Sequence, residues 1–119
     1  MNKDYFMTHP ANEIYQVITA KLPVIDGYYT WHGRGLNLLF IVIQALVYLR
    51  DNKNMSIDYD IVLKFIDLKN LRILSSTNLP KCYQDKLNAY LYSLPNENEL
   101  LAHEFITSNL FKITGQDWL

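Results

Sequence analysis

The sequence has few of the residues on which protein chemistry most often depends. Cys82 is the only cysteine in 119 residues, so no disulfide can form within the chain, and a lone thiol suits a reducing, cytosolic compartment. Glycine occurs only four times, and Gly33-Arg34-Gly35 is too short for either glycine-rich phosphate-binding pattern. These absences predict a cytoplasmic chain that does not hydrolyse nucleotides by itself.

An excess of charge of one sign is also missing. Eleven Lys and Arg face twelve Asp and Glu, which gives a net charge of -1. The chain therefore lacks the surplus of cations with which proteins bind nucleic acid non-specifically. Half of the residues are apolar and 19% are charged, a composition that excludes intrinsic disorder. At this length we expect a single domain over residues 1–119.

Long hydrophobic runs are absent as well. The longest reaches from Leu36 to Leu49 and contains Asn37 and Gln44, whereas a membrane-spanning helix needs about twenty apolar residues. The first thirteen residues have no apolar core of the kind that a signal peptide requires. We therefore expect no membrane span in this chain.

Apolar residues recur at steps of three and four, and no stretch alternates as a strand would. This periodicity predicts an all-α fold, a compact bundle of about six helices. The longest helix, at about 28–52, is apolar on nearly all sides between Leu38 and Leu49, so we expect it at the centre. The other five predicted helices cover residues 10–22, 58–66, 68–76, 79–94 and a segment that starts near residue 96.

Polar residues mark the starts of the predicted helices. Asp58 and Asp60 begin the third helix, where carboxylates stabilise unpaired amides, so we interpret them as capping residues and not as an acid–base pair. The predicted caps of the first, fourth and fifth helices are, in that order, Thr8 or His9, Asp67, and Asn78.

No constellation of side chains points to a catalytic or metal site. Glu99 and His103 are four residues apart and supply at most two of the four ligands of a structural zinc, so we expect a solvated pair. Nothing in the sequence pairs Cys82 with a histidine that could act as its base. The sequence thus predicts no catalytic residue, no cofactor and no metal.

The charges are unevenly distributed. Residues 61–90 contain five cations and two carboxylates, a net charge of +3, and residues 91–119 have a net charge of -3. The basic stretch could contact an acidic peptide or nucleic acid, although an ordinary solvated surface is the alternative. The candidate binding residues in it are Lys69, Arg72, Lys81 and Lys86.

A second candidate surface is aromatic. Tyr28, Tyr29 and Trp31 cluster at the start of the long helix. Exposed, they would form an interaction patch; buried, they would fix the start of the helix. The sequence leaves both interpretations open.

Several short patterns follow one another along the chain. An aromatic residue, Trp31, precedes Gly33-Arg34-Gly35, a long apolar helix ends in Leu-Val-Tyr-Leu-Arg-Asp at 46–51, and a Leu-rich region covers 57–74. Leu-x-x-Tyr-Leu-x-Ser-Leu-Pro follows at 87–95, and His103 begins a last partial match. In order and spacing these patterns resemble the coupling proteins of type IV secretion systems. Asn96-Glu97 and Glu104 depart from that family's pattern.

The resemblance implies a specific origin and role. Coupling proteins are hexameric, membrane-anchored bacterial ATPases of conjugation and of Dot/Icm-type effector export, and the matching stretch is their all-alpha domain. That domain is an insertion in the RecA-like motor, on the cytoplasmic side of the inner membrane. The implied partners are protein effectors or a relaxase–DNA complex, together with other secretion-system subunits. The chain would receive these substrates and perform no chemistry.

Two other functions fit the same residues. A free-standing helical adaptor or secretion chaperone would form a stable dimer and expose a large apolar patch. A small DNA-binding regulator would use residues 57–76, which have the outline of a helix-turn-helix, and its binding would weaken steeply with salt.

Overall fold

The computed structural model describes residues 5–22 and 29–94 and, beyond them, residues 100, 101, 103, 104, 107, 108 and 110, with the backbone alone for 29–34. These residues form helices and no strands, so the all-α prediction is confirmed for the part of the chain that is described. The helices are α1 (Tyr5–Thr8), α2 (Ala11–Ala20), α3 (Tyr29–Lys53), α4 (Tyr59–Ile66), α5 (Leu68–Ser75) and α6 (Lys81–Ser93). The described residues from 100 to 110 are helical too, and we call them the C-terminal helical segment.

Helix α3 is the centre of the bundle, as its apolar composition predicts. It packs against α2, α4 and α6. Six of its side chains are fully or almost fully buried, which requires apolar residues on several faces: Leu38, Leu39, Val42, Ile43, Ala45 and Leu46. Asn54, in the left-handed conformation with φ of 57°, follows its end. No described helix combines the length and the hydropathy that crossing a bilayer requires.

Arg50, near the end of α3, forms hydrogen bonds with α1 and with the residue that follows it, His9. Its guanidinium donates through Nη1 to the carbonyl oxygens of Phe6 at 2.8 Å and His9 at 2.7 Å, and through Nε to Asp51 at 2.9 Å. The carbonyls at the end of a short helix have no partner within it, so a cation placed there stabilises them. Arg50 and Asp51 belong to the pattern that resembles coupling proteins, and here Arg50 connects α3 to α1 and to His9.

The predicted boundaries of the first five helices agree with α2 to α6 to within two residues, and the predicted start of a sixth near residue 96 lies outside the described residues. Two predicted caps are wrong. Pro10 occupies the cap position of α2 in place of Thr8 or His9, and the His9 ring instead contacts the Tyr5 carbonyl of α1. The short helix α1 was not predicted, because four residues are too few for an apolar period to emerge.

Proline also determines where α6 begins. Pro80 holds the cap position in place of Asn78, since a residue that precedes proline is kept out of the helical conformation. Asp67 takes the predicted cap position of α5 but makes no capping hydrogen bond. Asp58 caps α4 as predicted: its carboxylate accepts a hydrogen bond from the Ile61 amide at 2.9 Å.

Tyr59 joins the first and last described parts of the bundle. Its ring is 6% exposed and meets the Phe6 ring of α1 edge-on, with the ring centroids 6.4 Å apart. Its hydroxyl donates to the Leu110 carbonyl of the C-terminal helical segment at 2.7 Å. Phe6 and Leu110, which are far apart in sequence, therefore both contact one tyrosine.

Candidate functional site

The four predicted basic residues are all exposed. Lys69 and Arg72 are three positions apart on α5, and residues at this spacing share one face of a helix. Ile73 lies one turn from Lys69, and half of its side chain is exposed. We call these three residues, Lys69, Arg72 and Ile73, the α5 face.

The two basic residues of α6 are arranged less favourably. Lys81 and Lys86 are five positions apart, so their directions differ by about 140° around the helix. Asp85 lies one turn from Lys81 and next to Lys86, and it is exposed as well. The positive charge of the predicted surface is thus concentrated on α5, while on α6 it is divided between two faces and opposed by a carboxylate.

The predicted aromatic cluster cannot be placed in the same detail. Tyr29 and Trp31 have helical backbone in the first turn of α3, and their side chains, like the whole of Tyr28, lie outside the described residues. Whether the cluster is an exposed patch or a buried one stays a prediction.

His103 differs from its prediction. It is 4% exposed, so it does not form a solvated pair, and Glu99 lies outside the described residues. Its Nδ1 lies 2.7 Å from the hydroxyl oxygen of Tyr90 on α6. The reason is its position on the helix: His103 is seven residues from Leu110, which is completely buried, so the two share the inward face.

A cavity of about 390 Å³ lies beside this histidine, between the start of α5 and the C-terminal helical segment. Three of its lining residues, Asp67, Glu104 and Ser108, are exposed, so the cavity opens to solvent. The described residues that line it are Asp67, Leu68, His103, Glu104, Thr107 and Ser108.

The electrostatic environment of His103 follows from this arrangement. Burial lowers the pKa of the imidazole, and the carboxylates of Asp67 and Glu104 act in the opposite direction without overcoming it. The ring is therefore neutral near pH 7, with one nitrogen that donates and one that accepts. A buried neutral imidazole and two exposed carboxylates thus line a polar, negatively charged cavity.

The sequence alone did not reveal the Tyr90–His103 pair or the cavity. A signal was present, because Tyr90 lies three positions after the apolar Leu87 on the predicted fifth helix, so it should face partly inward and its hydroxyl should need a partner. His103 lies on the same face of its helix as Leu110, which is apolar. What could not be predicted is that Tyr90 and His103 face each other.

Cys82 is the remaining candidate for chemistry among the residues that the sequence analysis considered. Cys82 is a free, exposed thiol in the first turn of α6. Within the described ranges no three His, Cys, Asp or Glu side chains are grouped so as to hold a metal ion.

A comparison with protein-family models, curated proteins and solved structures finds no match to this chain.

Proposed function

We propose that this chain is the all-alpha, substrate-recognition domain of a type IV secretion coupling ATPase, and that it binds its partner by non-covalent docking. The substrates would be protein effectors or a relaxase–DNA complex, received on the cytoplasmic side of the inner membrane. The order of short patterns along the sequence supports this family, and the all-helical fold around a long α3 is the architecture that the family implies.

The α5 face carries the proposal of docking. It combines two cations, Lys69 and Arg72, with a half-exposed aliphatic side chain, Ile73. An exposed apolar side chain beside charged ones suits a protein-binding surface, because the apolar group provides burial and the charges select the partner. A partner with carboxylates around an apolar residue would fit this face.

The junction at Tyr59 supports the insertion. A domain inserted into a motor must leave and rejoin it at nearby points. Phe6 and Leu110, which belong to the first and last described segments, both contact Tyr59. Such proximity is what an insertion needs, although a free-standing bundle can also have it.

The experiment that tests the docking surface is charge reversal in the full-length protein. We expect Lys69→Glu with Arg72→Glu to abolish transport of a reporter fused to a secretion substrate of the same bacterium, because the new carboxylates repel an acidic partner. Lys53→Glu with Lys64→Glu is the matched control, since both residues are exposed and neither lies on the α5 face. Normal transport by the α5 variant would refute the docking proposal.

The reading frame supplies an independent test of the family. An insertion domain requires Walker motifs on both sides of this stretch, in the same frame. A frame that closes directly after it, with no motor on either side, would rule out a coupling protein.

A helical adaptor or secretion chaperone is the second candidate. Among the described residues, large apolar side chains that an adaptor could use to bind a partner are exposed at Met7, Ile73, Tyr92 and Leu101. An adaptor should be a dimer at micromolar concentration, whereas an isolated recognition domain should be a monomer, and sedimentation velocity separates the two.

The hypothesis of a DNA-binding regulator gains less support. Only Asp67 separates α4 from α5, whereas a helix-turn-helix has a turn of three or four residues.

A further inference from the structure

The cavity beside His103 presents hydrogen-bond acceptors to a ligand. Asp67 and Glu104 each contribute a carboxyl group, and an ionised carboxylate can accept hydrogen bonds but cannot donate them. Asp67 stands at the cap position of α5 but makes no capping hydrogen bond, so the amides of α5 do not occupy its oxygens. Thr107 donates its hydroxyl proton to the His103 carbonyl at 2.8 Å, which leaves only the lone pairs of that oxygen for the cavity.

A buried polar atom that has no partner among the described residues lies at the same place. His103 is 4% exposed, and its Nδ1 faces Tyr90, which is not among the residues that line the cavity. Nε2, the other ring nitrogen, makes no hydrogen bond with any described residue. Buried polar atoms in native proteins nearly always have a partner, because leaving one without it is destabilising. The free nitrogen therefore points to a ligand that enters the cavity.

The ligand must be rich in donors and positively charged. Guanidinium has five N–H donors in a plane and no acceptor, and it pairs with carboxylates through two parallel hydrogen bonds. Ammonium is a point charge with three donors and cannot form such a fork. The methylene groups of an arginine side chain can pack on Leu68, and about 390 Å³ is within the range of small-ligand sites.

We propose that this cavity binds the guanidinium group of arginine, either as the free compound or as a side chain of a partner protein. The inference rests on Asp67, Glu104, Thr107 and His103, and it holds whether or not the chain belongs to a secretion system. One consequence concerns the tautomer of His103. Nε2 can accept from the ligand only if the ring proton is on Nδ1, where it donates to the Tyr90 oxygen.

The test uses small probes and the intact chain, followed by two-dimensional NMR of the backbone amides. N-acetyl-arginine amide represents an arginine within a peptide, and free arginine represents the compound alone. N-acetyl-citrulline amide is the matched control, because it has nearly the same shape and no charge. We expect the arginine probe to shift the amides of Asp67, Leu68, Glu104, Thr107 and Ser108, and the citrulline probe to leave them in place. Binding of the amide identifies a protein side chain as the source, and binding of free arginine alone identifies the small molecule.

Two variants locate the binding in the cavity without disturbing the core, since both residues are exposed. Asp67→Asn and Glu104→Gln should each weaken the arginine probe by about ten- to a hundredfold, the effect of losing a charged hydrogen bond. Asp85→Asn and Glu13→Gln make the same chemical changes at exposed sites away from the cavity, and they should bind as the original chain does. Equal shifts with the arginine and citrulline probes, no shift with either arginine compound, or full affinity in both cavity variants would overturn the proposal.

Discussion

The α5 face and the cavity at the start of α5 have opposite charge and different construction. The face consists of Lys69, Arg72 and Ile73 on one eight-residue helix. The cavity needs two elements, because Asp67 and Leu68 form one wall and residues of the C-terminal helical segment form the other. A surface on a single helix persists as long as that helix is folded, whereas a cavity between two elements is lost when either moves. This difference makes the two surfaces separable by experiment.

The largest effect should come from the residue on which both surfaces depend. Leu71 is completely buried on the inward side of α5, and Leu71→Ala should lower the free energy of unfolding by about 3 kcal/mol through lost burial and the space left behind. Ile73→Ala, at a half-exposed position of the same helix, should lower it by less than about 1 kcal/mol. Urea unfolding measures both. A small effect of Leu71→Ala would mean that α5 is not anchored as the structure has it.

A change at Tyr59 should affect the cavity and spare the α5 face. Tyr59→Phe removes the hydroxyl that donates to the Leu110 carbonyl, and with it a buried hydrogen bond between α4 and the C-terminal helical segment, which should destabilise that segment by about 1 kcal/mol. Hydrogen exchange should become faster at the amides of Glu104, Thr107 and Ser108. Exchange in α5 should change little, and an equal acceleration in both regions would contradict the separation.

Lowering the pH should lower the free energy of unfolding through His103. The pKa of His103 is lower in the folded chain than the ordinary value of 6.5, so the unfolded chain takes up the proton first as the pH falls. The contribution of the neutral His103 to the free energy of unfolding is complete above pH 6.5, and it is lost as the pH drops from there towards the folded pKa. Asp67→Asn removes a carboxylate that raises this pKa, so it should lower the folded pKa further. NMR titration of the imidazole measures both values, and a folded pKa above 6.5 would refute the assignment.

Charge changes on the α5 face should have the smallest effect on stability. Lys69→Glu with Arg72→Glu should alter the free energy of unfolding by no more than about 0.5 kcal/mol, because neither side chain is buried. The same variant should lose affinity for an acidic, apolar peptide. A large loss of stability would mean that these cations support the fold and are not reserved for a partner.

Much of the fold could be predicted from the sequence, since apolar periodicity is a local property. The predicted central helix, about 28–52, agrees with α3 at Tyr29–Lys53 to within one residue. The cap of α4 at Asp58 was predicted as well, because capping depends on neighbouring residues only. Asn78 failed as a cap since the conformational restriction that Pro80 imposes outweighs a favourable side chain.

Of the two candidate sites, one could be predicted from the sequence and the other could not. The exposed cations were visible in the sequence, because an excess of Lys and Arg over a short stretch needs no tertiary contact to exist. The cavity was not, since Asp67 and His103 approach each other only after α6 has folded back and the C-terminal helical segment has packed. The predicted solvated pair of Glu99 and His103 was wrong about His103 because helical spacing does not reveal which face is covered.

The measurement that most directly tests two separate binding surfaces on α5 is a pair of NMR titrations of the same labelled chain. One uses an acidic peptide with a central apolar residue, and the other uses N-acetyl-arginine amide. We predict that the peptide shifts the amides of Lys69, Arg72 and Ile73, that the arginine probe shifts those of Asp67, Glu104 and Thr107, and that each binds in the presence of the other. Shifts at one common set of residues, or competition between the two probes, would contradict the account.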